Sequence, residues 1–294
     1  MMDITVALGG GGAKGNAHIG VLRRLQKERY RIRAVAGTSF GGIIAAFFAA
    51  GYSPDAIEET FGRVDQSRLY GRGPSEGPSL LGLYNVTRWL DETLGGCTFA
   101  DLRLPCALTA VDLTNGRELT ISEGSVKEAI LTTIALPGLF PSFHVGDVEL
   151  VDGGVTNPVP VSTARRLVPG LPVAAVILTR PLGERTTRWK MPMPHLLPRI
   201  IAERINRSNF AQAMDIYMRA MEVSSRALAE YRLLADRPEV VIRPKAWHID
   251  LLEVVDPHEL ALLGEQAVVE ALPDLKRAMH WRARLGRFVG GGGR

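Results

Sequence analysis

The 294-residue chain is 46% apolar and 22% charged, too apolar for a disordered segment and too mixed for a fibrous one. Its 35 Lys and Arg against 31 Asp and Glu leave a formal charge of +4, and only six of those cations are Lys; this mild, arginine-based basicity argues against a nucleic-acid partner. Cys97 and Cys106, the only two cysteines, exclude a disulfide scaffold and a four-cysteine metal site.

The start, MMDITVALGG, shows no basic, apolar leader, and the longest apolar stretch, Ile43 to Ala50, is far shorter than the roughly 20 residues a bilayer span needs. The expected location is cytoplasmic, or peripheral at a membrane. The first expected strand, Ile4 to Leu8, ends in glycines, and Ile19, Val21, Leu22 and Leu25 then recur at helical spacing. A second strand, Ile32 to Ala36, runs through Gly37-Thr38-Ser39-Phe40-Gly41 into a small-residue helix that stops at Gly51. Ser53-Pro54-Asp55 opens a capped helix, and Gly71 to Gly82, rich in Gly, Pro and Ser, reads as a mobile surface loop.

Cys106 to Asp112 and Glu118 to Ser122 flank Asn115-Gly116, a strong hairpin signal. Val126 to Ala135 reads as helix, Val148 to Val151 as strand, and Val173 to Thr179 as a strand buried on both faces. A long helical pattern spans Arg199 to Leu234, Val240 to Ile242 is one more strand, and a last helix covers about Leu260 to Arg277. Such alternation predicts an α/β fold. Between Arg180 and Arg207 the cations Arg180, Arg185, Arg188, Lys190, Arg199, Arg204 and Arg207 outnumber Glu184 and Glu203, interleaved with Trp189, Met191 and Met193. The mixture suits a membrane interface or a lid, and equally suits a proline-rich loop covering core.

Chemistry concentrates in two glycine turns. Gly10-Gly11-Gly12-Ala13-Lys14-Gly15 matches the dinucleotide-binding spacing, but the acid expected about 20 residues on is replaced by Ala36-Gly37-Thr38-Ser39. No Gly-Lys-Ser/Thr triplet supports a phosphate-binding loop either. A glycine-rich strand-to-helix turn also aims backbone N–H groups at negative charge, including an acyl-transfer oxyanion. Gly37-Thr38-Ser39-Phe40-Gly41 is a GxSxG turn between strand and helix, the setting of a nucleophile elbow; a plain helix N-cap is the other reading.

His18, His144, His195, His248, His258 and His280 stand in no triad context, and an ordinary α/β-hydrolase order does not fit. The better partner is Asp152, which ends a strand and opens Asp152-Gly153-Gly154, although an Asp-Gly turn can be structural.

Gly10 to Gly15, Gly37 to Gly41 and Asp152 to Gly154, in this order, resemble the patatin-like phospholipases. The resemblance extends through Ala17-His18-Ile19-Gly20-Val21-Leu22, Pro137-Gly138-Leu139-Phe140-Pro141 and Asn157-Pro158-Val159-Pro160, covering residues 4–180. It implies a three-layer α/β/α sandwich with a mainly parallel central sheet, Ser39 as nucleophile, Asp152 as base, and an oxyanion hole from the amides of Gly10, Gly11 and Gly12. Lys14, Gly15, Gly37, Gly41, Gly153 and Gly154 support the motifs. Phe40 stands where such proteins usually carry a small residue, and Thr133 where a serine is common.

The implied organisation is one domain over 1–285, with lid-like and C-terminal elements from 181, and a flexible Gly-rich tail at 286–294. The implied function is hydrolysis of lipid acyl esters, phospholipids included, with no metal and no cofactor. The alternatives are a broad esterase, a lipid acyltransferase, a non-catalytic lipid-binding module and, last, a dinucleotide enzyme.

Overall fold

A computed structural model describes residues 2–74, 76–183 and 208–279. Its centre is a mixed, mostly parallel eight-stranded sheet: β1 (Met2–Leu8), β2 (Tyr30–Gly37), β3 (Cys106–Asp112), β4 (Glu118–Ile121), β5 (Phe143–Val145), β6 (Val148–Asp152), β7 (Val173–Val176) and β8 (Val240–Ile242). Along the sheet the order is β5-β6-β3-β2-β1-β7-β8, and β4 pairs with β3 outside that path. The pairs β1–β2, β1–β7, β2–β3 and β7–β8 are parallel; those joining β3, β4, β5 and β6 are antiparallel.

Eight α-helices are described: α1 (Ala17–Lys27), α2 (Phe40–Ala49), α3 (Pro54–Gly62), α4 (Tyr84–Leu94), α5 (Val126–Thr133), α6 (Val161–Leu167), α7 (Asn209–Asp236) and α8 (Pro257–Met279). Side chains alternate across a strand, and this period sorts the core into two layers. Ile4, Val6 and Leu8 of β1, with Val176 of β7 and Ile242 of β8, join one cluster that holds residues of α1 to α5 and α8. The intervening Ala7, Val173 and Ala175 join another, with Val161 and Ala164 of α6 and Ala229 and Leu233 of α7. Helices therefore cover both faces, the three-layer arrangement the family resemblance implied, and each fully buried aliphatic side chain contributes roughly 1.5–3 kcal/mol through removal of apolar surface from water.

The local signals translate directly. Ser53 caps α3, its hydroxyl accepting from Ala56 N at 3.1 Å with Pro54 in the first turn. The Asn115-Gly116 signal becomes the β3–β4 hairpin, with Gly116 at φ 72°. Other readings need correction. β7 stops at Val176 rather than Thr179, because Leu178, Thr179 and Arg180 leave the sheet to wall a cleft at the strand ends. The strands β5, and the helices α4 and α6, fall where no strong periodicity was visible.

The loop Gly71–Gly82 is irregular as expected, yet Leu80 and Leu81 donate to the carbonyls of Gly138 and Leu139 at 3.2 and 2.9 Å. The lid-like stretch Arg185 to Pro198, with Trp189, Met191 and Met193, lies outside the described residues, as do His195, His280 and the tail 286–294. Among the described residues no helix is long and apolar enough to cross a membrane.

Candidate active site

The chain segments leaving the carboxyl ends of β1, β2 and β7 line one cavity, where open α/β sheets place their ligands. At the top of β2 the chain turns from Gly37 through Thr38 and Ser39 into α2. Ser39 takes φ 54° and ψ −131°, a left-handed value rare for a residue with a Cβ and a strain of order 1–3 kcal/mol.

Close backbone packing holds the turn. A Cβ on Gly37 would run into the Gly41 carbonyl and Gly42, and one on Gly41 into the carbonyl oxygens of Leu8 and Gly9. The spacing of glycines in this motif is thus a demand for room between β1, β2 and α2. Three threonines finish the scaffold. Thr38 donates from Oγ1 to the Asn157 carbonyl at 3.0 Å and meets Thr109 Oγ1 at 2.7 Å. Thr133 Oγ1 accepts from Ser39 N at 3.0 Å and donates to the Thr109 carbonyl at 2.7 Å.

Asp152, at the end of β6, is 2% exposed. One oxygen accepts from Gly154 N at 2.7 Å, its backbone N donates to the Ala135 carbonyl at 3.0 Å, and the Ser39 hydroxyl lies close enough to favour the charged carboxylate. Gly153 lies so close to Thr109 that a Cβ would overlap its Oγ1. Burial pushes the Asp152 carboxyl up to about 6, against the opposing pull of the Ser39 and Gly154 hydrogen bonds. The structure therefore brings Ser39 and Asp152, more than a hundred residues apart in sequence, to the wall of one cavity.

The glycine loop flanks them and divides its labour. Gly10 N donates to the Pro158 carbonyl at 2.9 Å, so this amide is already engaged and its expected place in an oxyanion hole is corrected. Gly10 instead packs on Ser39, the nearest atom to a Cβ there being Ser39 Cβ at 3.2 Å. The amides of Gly11 and Gly12 carry no hydrogen bond within the described structure and line the same cavity. Gly12, at φ 59°, sits under the Leu251 carbonyl, and Ala13 N donates to that carbonyl at 2.9 Å. Gly15 lies against the Phe40 ring.

Behind the loop, His18 is buried and its Nε2 donates to the Gly9 carbonyl at 2.8 Å; burial lowers this imidazole to about 4, so it is neutral and buttresses the loop. No described histidine lines the cavities at Ser39.

Two cavities meet at Ser39. The larger, about 460 Å³, is walled by the glycine loop, Asp152, Lys14, Arg180, the Met218–Arg226 part of α7 and residues 249–253. The smaller, about 90 Å³, is a slot of Phe40, Phe61, Tyr70, Trp89 and Phe140. Phe61 stands edge-on to Phe40, Phe47 and Trp89, at centroid distances of 5.8, 5.4 and 5.2 Å, the geometry aromatic quadrupoles favour.

The α7 wall and the aromatic slot escaped the sequence reading. Trp89 lies on α4, whose pattern was not marked, and Arg226 is 187 residues from Ser39 with no motif around it. Phe40, noted only as an unusual residue, is part of the slot, and Thr133 is the elbow's hydrogen-bonding partner. Lys14, noted as motif support, faces the cavity.

A serine elbow, a buried carboxylate and free amides at one end of a flanked α/β sheet define the class of acyl-transfer folds. The sequence model of patatin-like phospholipases matches residues 6–165, and the chain belongs to that family and is a lipid ester hydrolase. An uncharacterized NTE family protein of Mycobacterium tuberculosis is 27% identical over 97% of this chain and 81% of its own length. The lysophospholipase NTE1 of Saccharomyces cerevisiae is 26% identical over 55% of this chain, but over only 10% of its own. Among solved structures, VipD from Legionella pneumophila shares the fold at a TM-score of 0.54 and 11% identity, covering 92% of this chain and 66% of that one.

Proposed function

We propose that the protein hydrolyses carboxylic acyl esters of lipids with a Ser39–Asp152 dyad. The observation that carries the reading is the Ser39 hydroxyl beside the buried Asp152 carboxyl in one cavity, with that carboxyl's pKa pushed up to about 6, which suits a base working around neutral pH better than an ordinary aspartate. Asp152 accepts the hydroxyl proton as Ser39 Oγ attacks the ester carbonyl. The amides of Gly11 and Gly12 take the developing oxyanion, helped by the positive N-terminal end of α2. Collapse expels the alcohol, which takes the proton back from Asp152, and leaves an acyl-serine. Water, deprotonated by the same carboxylate, then releases the fatty acid and restores Ser39.

The strained φ of Ser39 supports this reading over a simple N-cap, since its side chain makes no cap hydrogen bond to α2. The test is labelling with a fluorophosphonate probe in wild type, Ser39→Ala and Asp152→Asn. Labelling confined to proteins that keep Ser39, and weakened in Asp152→Asn, is expected. A well-folded wild type that fails to label would leave a lipid-binding module as the better reading, and transfer to an added alcohol that outpaces hydrolysis would make the protein an acyltransferase.

A further inference from the structure

Helix α7 turns its polarity the opposite way from an ordinary surface helix. Every charged residue of α7 is buried or part-buried, and these groups pair along the helix or toward the body of the protein: Arg219 with Asp215 at 3.1 Å, Glu230 with Arg243 at 2.9 Å, and Arg232 with Glu118 at 3.2 Å. The exposed face of α7 carries no charge. Six large apolar side chains, from Phe210 to Leu234, stand there instead and are 43 to 72% exposed.

The face is patterned as well as apolar. Phe210, Tyr217, Ser224 and Tyr231 recur every seven residues, and Ala213, Ala220, Ala227 and Leu234 each follow three residues on. Alternating steps of three and four keep a stripe in line along a helix, and they are the spacing at which one helix packs along another. The stripe also reads alike from both ends. Tyr217 and Tyr231 lie seven residues to either side of Ser224, with Ala220 and Ala227 between them, so a copy laid antiparallel sets ring beside ring at the flanks and small residues together at the centre.

A lipid surface suits this face less well. Helices that lie in a membrane interface carry Lys and Arg around their apolar face, and no arginine within α7 is exposed. An uncharged stripe meets its own copy without like-charge repulsion, and two-fold pairs are the commonest assembly of identical chains. The extent agrees. A helix of 28 residues is about 42 Å long, and six side chains so exposed offer on the order of 800 Å² from each partner, the size of a standard stable interface.

We infer that the outer face of α7 binds a second copy of this chain, the two α7 helices lying antiparallel about a two-fold axis at Ser224. The opposite face of α7, with Met218, Met221 and Glu222, walls the larger cavity, so the pair sets its two cavities back to back across the joined helices. The inference needs nothing from the Ser39 chemistry.

Sedimentation equilibrium of the full chain, free of lipid and detergent and over a wide range of concentration, tests it. Wild type is expected at twice the chain mass. Val223→Arg and Tyr231→Glu, both at exposed positions, should raise the dissociation constant at least tenfold with the circular dichroism spectrum unchanged. In a Cys97→Ser background, where the remaining Cys106 is buried, Ser224→Cys should oxidise to a covalent dimer. Ala213→Cys, roughly 30 Å along the helices from its counterpart in an antiparallel pair, should not.

A wild type that stays monomeric at every concentration overturns the proposal, as does a dimer that neither introduced charge weakens, whose interface lies elsewhere. Cross-linking of Ala213→Cys as fast as Ser224→Cys overturns the antiparallel two-fold. Monomers that sediment with vesicles of phosphatidylcholine and phosphatidylglycerol, and cease to do so with Val223→Arg, make the face a membrane contact instead. If Tyr231→Glu fails to fold, Val223→Arg decides.

Discussion

Two cavities share Ser39, and their walls are built in opposite ways. On the α3–α4 side the slot is closed by aromatic rings in edge-on contact, with Phe47 and Trp89 stacked at 5.3 Å. On the α7 side the wall is charged, and its arginines are held by carboxylates rather than by packing. Apolar surface is stabilised without direction, roughly by its area. The charged wall depends on position, since a buried ion is favourable only against a well-placed partner.

The sharpest way to break this comparison is to remove the chemistry between the walls. Ser39→Ala should bring ester hydrolysis to background, and Asp152→Asn should lower kcat roughly 10⁴-fold, the scale seen when a triad carboxylate is lost; both are read by fatty-acid release. Losing turnover with neither change would place the reaction elsewhere in the cleft.

The slot is tested next. Phe61→Ala removes a ring 8% exposed that touches three others, and should cost about 3–5 kcal/mol in denaturant unfolding while flattening the preference for long over short acyl chains. Stability lost with chain preference intact would mean that the slot is core and not a binding surface.

A third effect comes from the dyad's own cost in stability. Folded Asp152 keeps its proton up to about pH 6, while the unfolded residue releases it near 4, so the folded state loses stability as pH rises across that interval, by up to about 3 kcal/mol. His18 runs the other way. Neutral when folded down to about 4 and protonated near 6.5 when unfolded, it makes stability fall as pH drops through the same range. The two slopes oppose each other between pH 4 and 6. Asp152→Asn, which keeps an acceptor for Gly154 N, should therefore melt at or above the wild-type temperature at pH 8 and lose stability more steeply on acidification. A melting temperature well below wild type at pH 8 would contradict it. Hydrolysis should rise with pH through an apparent value near 6, as the base loses its proton.

The smallest change concerns Thr133. Thr133→Val leaves Ser39 N without its acceptor and should cost about 1–3 kcal/mol and reduce kcat, whereas Thr133→Ser should stay close to wild type in both. Equal behaviour of the two variants would remove Thr133 from the elbow's support.

The elbow and the glycine loop were legible because they are local: a glycine required by a neighbour two or three residues away leaves a short, spaced pattern. The two core layers were legible only through the family resemblance; in the structure Ile4, Val6 and Leu8 face one layer and Ala7 the other. Gly10 shows the limit. Its place in the motif suggested a free amide, but Pro158, nearly 150 residues later, accepts that hydrogen bond. Trp89 and Phe61 likewise look like ordinary core residues of separate helices until α3 and α4 close on α2.

The sequence by itself determined the alternation of strands and helices, the sharp turn that exposes Ser39, and the strand end that carries Asp152, because backbone sterics and period-two or helical spacing act over a few residues. Only the tertiary structure decided that Ser39 and Asp152 line one cavity, that Gly11 and Gly12 rather than Gly10 have amides to offer, and that Arg180 and Arg226 meet at Glu222. Electrostatic and hydrogen-bonding partners are chosen by distance in space, and Arg180 and Glu222, more than 40 residues apart, have no spacing to betray them until the sheet and α7 bring them together.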